Sequence, residues 1–251
     1  MVGPVRLRLY VIPGSHPCET ARAALDVKGL PYERVDMLPV IHKLHARLAY
    51  RGSTAPGLRI DSERITGSRA ILRRLEQLAP DPPLWPADSA QRAAVEHAER
   101  WGDEVLQPIP RRLAWAIMSR RPAVMAQFAV GARLPLPLAV TRPTFPLVAR
   151  TAKLANHADD ETVKADLAAL PGLLDRVDDW IDEGALGGQT ANAADLQIGS
   201  SVRLMHAFGD LRPLVSERPC RALARHFTPL AADVPAGILD PAWLPATAGA
   251  G

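Results

Sequence analysis

The chain has 251 residues, 47% apolar and 23% charged, a balance that excludes global disorder and allows one large domain or two of ordinary size. Its net charge is +3, with 13 Lys and Arg against 7 Asp and Glu in residues 1–80 and 17 against 20 beyond; the basic residues are dispersed and not interleaved with aromatics, which argues against nucleic acid and fits a small anionic ligand. Two cysteines, Cys18 and Cys220, are too few for a disulfide framework and lack metal-ligand spacing, so a cytoplasmic location is expected.

Val5 to Ile12 alternates apolar residues with Arg6 and Arg8. That pattern predicts a strand and lacks the continuous apolar core of an export signal. Ala21, Ala24, Leu25 and Lys28 then follow at helical spacing, stopped by Gly29 and Pro31. Tyr32 to Met37 reads as a second strand, and Ile41 to Ala49 as a short helix. GLRI and ERIT bracket Asp61 and Ser62 as a hairpin, and Ile71, Leu72, Leu75 and Leu78 mark a third helix. The order β-α-β-α-β-β-α predicts an α/β domain over residues 1–80.

Ala79 to Asp88 holds four prolines, so residues 81–88 are expected to be a semi-rigid linker. From Ser89 the apolar spacing is helical, through Ala90, Ala94, Ala98, Trp101 and Val105, and later through Leu167, Leu170, Leu174, Val177 and Ile181. Residues 89–251 therefore read as an all-helical domain, with Pro171 expected to kink or divide its helix. Arg120 to Arg150 is apolar but too rich in proline for a regular assignment. It reads as a buried connector, with a pocket wall, a partner surface or a mobile lid as functional alternatives. Arg133, Arg142 and four prolines between Ala123 and Ala149 argue against a membrane span.

The chemistry concentrates in LYVIPGSHPCETARAAL, Leu9 to Leu25, where a strand passes through Gly14 into a helix whose first turn holds Ser15 to Cys18. Unpaired N–H groups of a first helical turn stabilise an anion, a thiolate included, and Ser15 adds a hydroxyl donor. Cys18 at that helix end is expected to be acidified and a candidate nucleophile. His16 is a candidate base on an incoming thiol, weighed against simple solvent exposure beside the site. The HxxH pair His42 and His45 has no acidic ligand nearby, so no metal is expected.

Ser15 at the end of the first strand resembles the active residue of thioredoxin-fold proteins and glutathione transferases. Set against the glutaredoxin pattern CPYC, SHPC puts Ser15 at the nucleophilic cysteine, which excludes CxxC redox chemistry. GSTAPGL (Gly52 to Leu58) is similar to the segment that ends in the family's cis proline, and RITGSRAILRRLEQ (Arg64 to Gln77) to the segment that opens its third helix. The resemblance to serine-type glutathione transferases implies a thioredoxin-like N-terminal domain followed by an all-α C-terminal domain. It also implies that Ser15 hydrogen-bonds the glutathione thiolate, that Ala55 and Pro56 hold the cysteinyl backbone, and that Ser68 receives the γ-glutamyl carboxylate. Gly67 stands where the family has an acidic residue or glutamine. Asn192 and Asp195 match a capping box of the family's core. Trp101, Gln107, Arg111, Arg112 and Trp115 fall on the helix that faces the thiol in the family, where interdomain packing and a solvated helix face are the bland alternatives. Glutathione as co-substrate, a small apolar electrophile and a homodimer complete what the resemblance implies. A non-catalytic binding module and a Cys18-dependent reductase or isomerase are the alternatives.

Overall fold

A computed structural model describes residues 5–38 and 42–245; Ile41 of the expected second helix lies outside them. Four strands form one sheet in the order β2-β1-β3-β4, comprising β1 (Leu7–Val11), β2 (Glu33–Asp36), β3 (Gly57–Ile60) and β4 (Glu63–Thr66). β1 runs parallel to β2 and antiparallel to β3, and β3 and β4 are the expected hairpin, turned at Asp61 with φ +50°. β1 is central and both its faces are covered. Leu7, Leu9 and Val11 join the main core, while Tyr10 packs with Met37, Ala46 and Tyr50 on the other side.

The helices α1 (His16–Val27), α2 (His42–Tyr50) and α3 (Ser68–Leu78) complete this unit, which is thioredoxin-like. α1 ends as its sequence predicts. Gly29 is left-handed at φ +61°, and the Leu30 and Gly29 N–H groups donate back to Leu25 and Asp26 carbonyls. Residues 79–88 form no helix or strand, yet they are packed. The buried Lys28 ammonium holds the Pro80 and Pro82 carbonyls at 3.2 and 2.6 Å and Glu76 at 2.5 Å, and Leu84 and Trp85 enter the core.

The helical half begins with α4 (Ser89–Trp101), passes through a π-helical turn at Gly102–Leu106 and continues as α5 (Pro108–Arg120). Short turns α6 (Met125–Phe128) and α7 (Leu138–Thr141) lead into α8 (Phe145–Ala155), α9 (Asp160–Asp182), α10 (Ala193–His206) and the single turn α11 (Pro213–Ser216). Pro171 does not divide α9. The buried stripe Val163, Leu167, Leu170, Leu174 and Val177 holds the helix continuous across it. Residues 120–150 are not a buried connector throughout. Val124, Met125, Phe128, Val148 and Ala149 are buried, whereas residues 135–140 are all exposed.

The two halves share one hydrophobic core and are joined by polar ties. Glu99 of α4, fully buried, accepts from Arg69 at 2.9 Å and Arg73 at 3.3 Å of α3. Thr20 of α1 donates to Ser200 of α10 at 2.9 Å. These contacts set α1 and α3 against α4 and α10, so the first turn of α1 lies where the halves meet.

Candidate functional site

Ser15 is the N-cap residue of α1, with extended backbone, and its hydroxyl makes no capping hydrogen bond. The preceding Gly14 is left-handed at φ +78°, and a Cβ there would lie 2.8 Å from Phe128 Cδ1. Glycine is thus required twice, by conformation and by the close approach of α6. Ser15 is partly buried and its N–H donates to Ile12 O at 3.0 Å, which fixes the turn.

A second part of the site lies before β3. The Ala55–Pro56 bond is cis, and among the described residues the Ala55 N–H and C=O have no hydrogen-bond partner. Tyr50 builds this loop. Its hydroxyl donates to Thr54 O at 2.8 Å, and its ring lies so close to Gly52 and Gly57 that a Cβ at either would come within 2.6 Å of it.

The third part is the start of α3. The Gly67 N–H donates to Pro56 O at 2.9 Å, joining the proline loop to this helix end. Gly67, not Ser68, is the N-cap, with φ +92° and no side-chain cap; Ser68 is the first helical residue and is buried. Because glycine alone adopts that φ without strain and offers no side chain, the first N–H groups of α3 are left for an external acceptor. No atom lies within 4 Å of a Cβ placed at Gly67, so conformation rather than space favours glycine there. Ala55, Pro56, Gly67 and Ser68 are thus brought together at the edge of the sheet on which β1 delivers Ser15.

The geometry agrees with a comparison of sequences, since residues 9–83 match the family model of the glutathione S-transferase N-terminal domain. Over those residues the chain is similar to the glutathione S-transferase N-terminal domain. The likeness of fold extends through the helical half. The structure of the β-etherase LigF from Sphingobium sp. strain SYK-6 superposes with a TM-score of 0.62 at 20% identity, covering 88% of this chain and 98% of that one. Glutathione transferase F7 from Populus trichocarpa gives 0.56 at 18%, covering 88% and 99%. FzlA from C. crescentus gives 0.55 at 19%, covering 93% and 97%. No curated protein matches the chain in sequence.

Within this fold, two sequence expectations about the first turn of α1 are corrected. Cys18 is fully buried, and burial pushes its thiol up to about 12, outweighing the hydrogen bond from Ser15 that pulls it down. The residue faces the core rather than the helix end, so the acidification expected of an N-terminal cysteine is absent. His16 is buried too, not solvent-exposed. Its Nε2 meets Gln107 O at 3.2 Å across the interface, and burial, then the Arg111 charge, lowers its pKa to about 3. It is a neutral interdomain tie at physiological pH.

Native protein is therefore expected to resist alkylation at both Cys18 and Cys220, which are buried with thiols raised to about 12, and to react at both only after denaturation. Mass-resolved labelling with iodoacetamide checks this. Modification of Cys18 in native protein at the rate of a free thiol would contradict it.

Of the residues on the long helix, Trp101 packs edge-on to Trp180 at 5.1 Å, and Arg112 forms a two-pronged pair with Asp166 at 2.6 Å on both arms. Those two are structural. Gln107 and Arg111 are different, because Gln107 carries the carbonyl that holds His16, and its side-chain oxygen accepts from Arg111. The π-turn at Gly102–Leu106 went unforeseen. Gly102, where a Cβ would lie 2.7 Å from Ile198, was its only sequence sign. Among the described residues no group of His, Cys, Asp and Glu has the arrangement of a metal site, and no helix is long and apolar enough to cross a membrane.

Proposed function

We propose that this protein is a glutathione transferase-like enzyme that adds the glutathione thiol to a small apolar electrophile held between its two halves. The observation that carries the reading is the uncapped hydroxyl of Ser15 at the start of α1, on the same sheet edge as Ala55 and the uncapped start of α3. Ser15 then donates its hydroxyl to the thiolate. The Ala55 backbone pairs with the cysteinyl unit, and the N–H groups beside Ser68 receive the γ-glutamyl carboxylate. The protein's contribution is to hold a stabilised thiolate in an attacking position while the electrophile supplies the leaving group or acceptor carbon.

A non-catalytic binding module is the second reading, favoured by one observation: Gly67 offers no side chain to the γ-glutamyl amine. The reading with Cys18 as reacting sulfur is disfavoured by its complete burial. A two-fold dimer and a cytoplasmic location belong to the same proposal and rest on the family resemblance.

Calorimetric titration with glutathione, paired with conjugation assays on a panel of apolar electrophiles that includes an ether, separates the readings. Binding in the micromolar to millimolar range with turnover supports the enzyme. Binding without turnover on any of them supports the module, and no binding at millimolar glutathione overturns both. Ser68→Ala is expected to weaken glutathione binding roughly 10- to 15-fold, the worth of one hydrogen bond to a charged group at its lower end of about 1.5 kcal/mol.

A further inference from the structure

Arg111 occupies an unusual place for a cation. It lies on α5 one turn beyond Gln107, whose carbonyl meets His16, and the chain leaving α5 brings Phe128 onto Gly14. The start of α5 therefore lies beside the first turn of α1, and the Arg111 charge couples to both His16 and Cys18.

The guanidinium is largely withdrawn from water, and desolvation lowers its pKa. Among the described residues its one hydrogen-bond acceptor is Gln107 Oε1, and no carboxylate lies within ion-pair distance. The Asp103 charge, beyond hydrogen-bonding distance, offsets only part of that desolvation, and most of the five N–H donors of a guanidinium remain for a ligand's anion. Its orientation is nevertheless fixed. Asp103 accepts from Gln107 Nε2 at 3.0 Å and from Gln197 Nε2 at 3.1 Å, which turns the Gln107 amide oxygen toward Arg111.

We propose that Arg111 is the fixed cation of the thiol site, stabilising the glutathione sulfur as a thiolate from across the cleft opposite Ser15. This rests on the reading of the protein as a glutathione-binding enzyme. In the step concerned the S–H bond breaks, the proton leaves to solvent buffer, and the electron pair remains on sulfur between the Ser15 hydroxyl and the guanidinium. The other charges around the turn are already engaged. Glu19 of α1 pairs with Arg22 and Arg203, Arg34 of β2 with Asp36, Arg69 of α3 with Glu99 and Glu104, and Arg112 of α5 with Asp166. His16 stays neutral, and Asp103 of the π-helical turn, whose charge reaches Arg111, is hydrogen-bonded to Gln107 and Gln197.

The test is a pH titration of the ultraviolet thiolate absorbance of glutathione bound to wild type, Arg111→Gln, Arg111→Met and Arg111→Lys. The expected result is a midpoint raised by about one unit in the Gln and Met variants, the effect of removing one nearby opposite charge, and kept close to wild type in the Lys variant. The pH at which conjugation reaches half its plateau should move by the same amount. Wild-type midpoints in both neutral variants would overturn the role of Arg111 while leaving the proposed function standing. A wild-type protein that shows no bound glutathione at all would instead overturn the proposed function, and this inference with it.

Discussion

Ser15→Ala is expected to lower kcat/KM for glutathione conjugation roughly 10- to 100-fold, the worth of one hydrogen bond to a charged group at about 1.5–3 kcal/mol. The loss should appear in kcat at neutral pH and shrink as pH rises, because alkaline solvent ionises the thiol without help. Stability is expected to change little. The Ser15 hydroxyl makes no cap bond, and the partner it loses is the Cys18 thiol, a weak acceptor. That separates the prediction from a folding defect, and thermal melting recorded beside the kinetics checks it. An alanine variant with wild-type activity across the pH range would remove Ser15 from the mechanism.

Asp195→Ala is expected to have the largest effect on stability. Asp195 is fully buried and accepts from Gly187 N at 2.8 Å and Asn192 N at 2.9 Å, while Asn192 Oδ1 accepts from Ala194 N and Asp195 N. Truncation leaves two partly buried N–H groups without their partner, that of Asn192 at the start of α10, the helix against which α1 packs, and that of Gly187 in the loop before it. At about 1–3 kcal/mol for each unsatisfied group the cost is about 3 kcal/mol, a fall in Tm of roughly 6–12 °C for a chain of this size. Denaturant unfolding and calorimetry measure it. A change below about 1 kcal/mol would show that the box does not secure the helix. Asp195→Asn should fall between, since its amide keeps one acceptor but presents a donor to the other N–H.

The parts of this protein legible in its sequence are those that local chemistry determines. Gly29 and Pro31 end α1 because a left-handed residue and a ring are needed within three positions, and Asn192 with Asp195 opens α10 for a similarly local reason. The hairpin at Asp61 and Ser62 and the chain order of strands and helices over residues 5–80 follow from the period-2 and helical-period runs. What the sequence hides is set by contacts between distant segments. Nothing near Cys18 in the chain reveals that it turns into the core, and nothing near His16 reveals the Gln107 carbonyl 91 positions away. The helices of residues 120–150 escape for a different reason. α6 and α7 are single turns, each with a proline within the three residues before it, so no period accumulates, and packing of Phe128 on Gly14 fixes α6. Ser68 is the first helical residue of α3, and the left-handed Gly67 takes the cap position before it.

The proposed site draws on three separate chain segments for one ligand, so the most direct measurement is a crystal structure of the protein with glutathione bound. The account predicts the glutathione sulfur within hydrogen-bonding distance of Ser15 Oγ and on the side facing Arg111, the cysteinyl backbone paired with Ala55, and the γ-glutamyl carboxylate at the first N–H groups of α3 beside Ser68. A glutathione bound elsewhere, or one whose sulfur lies away from Ser15 with its carboxylate off the start of α3, would contradict it.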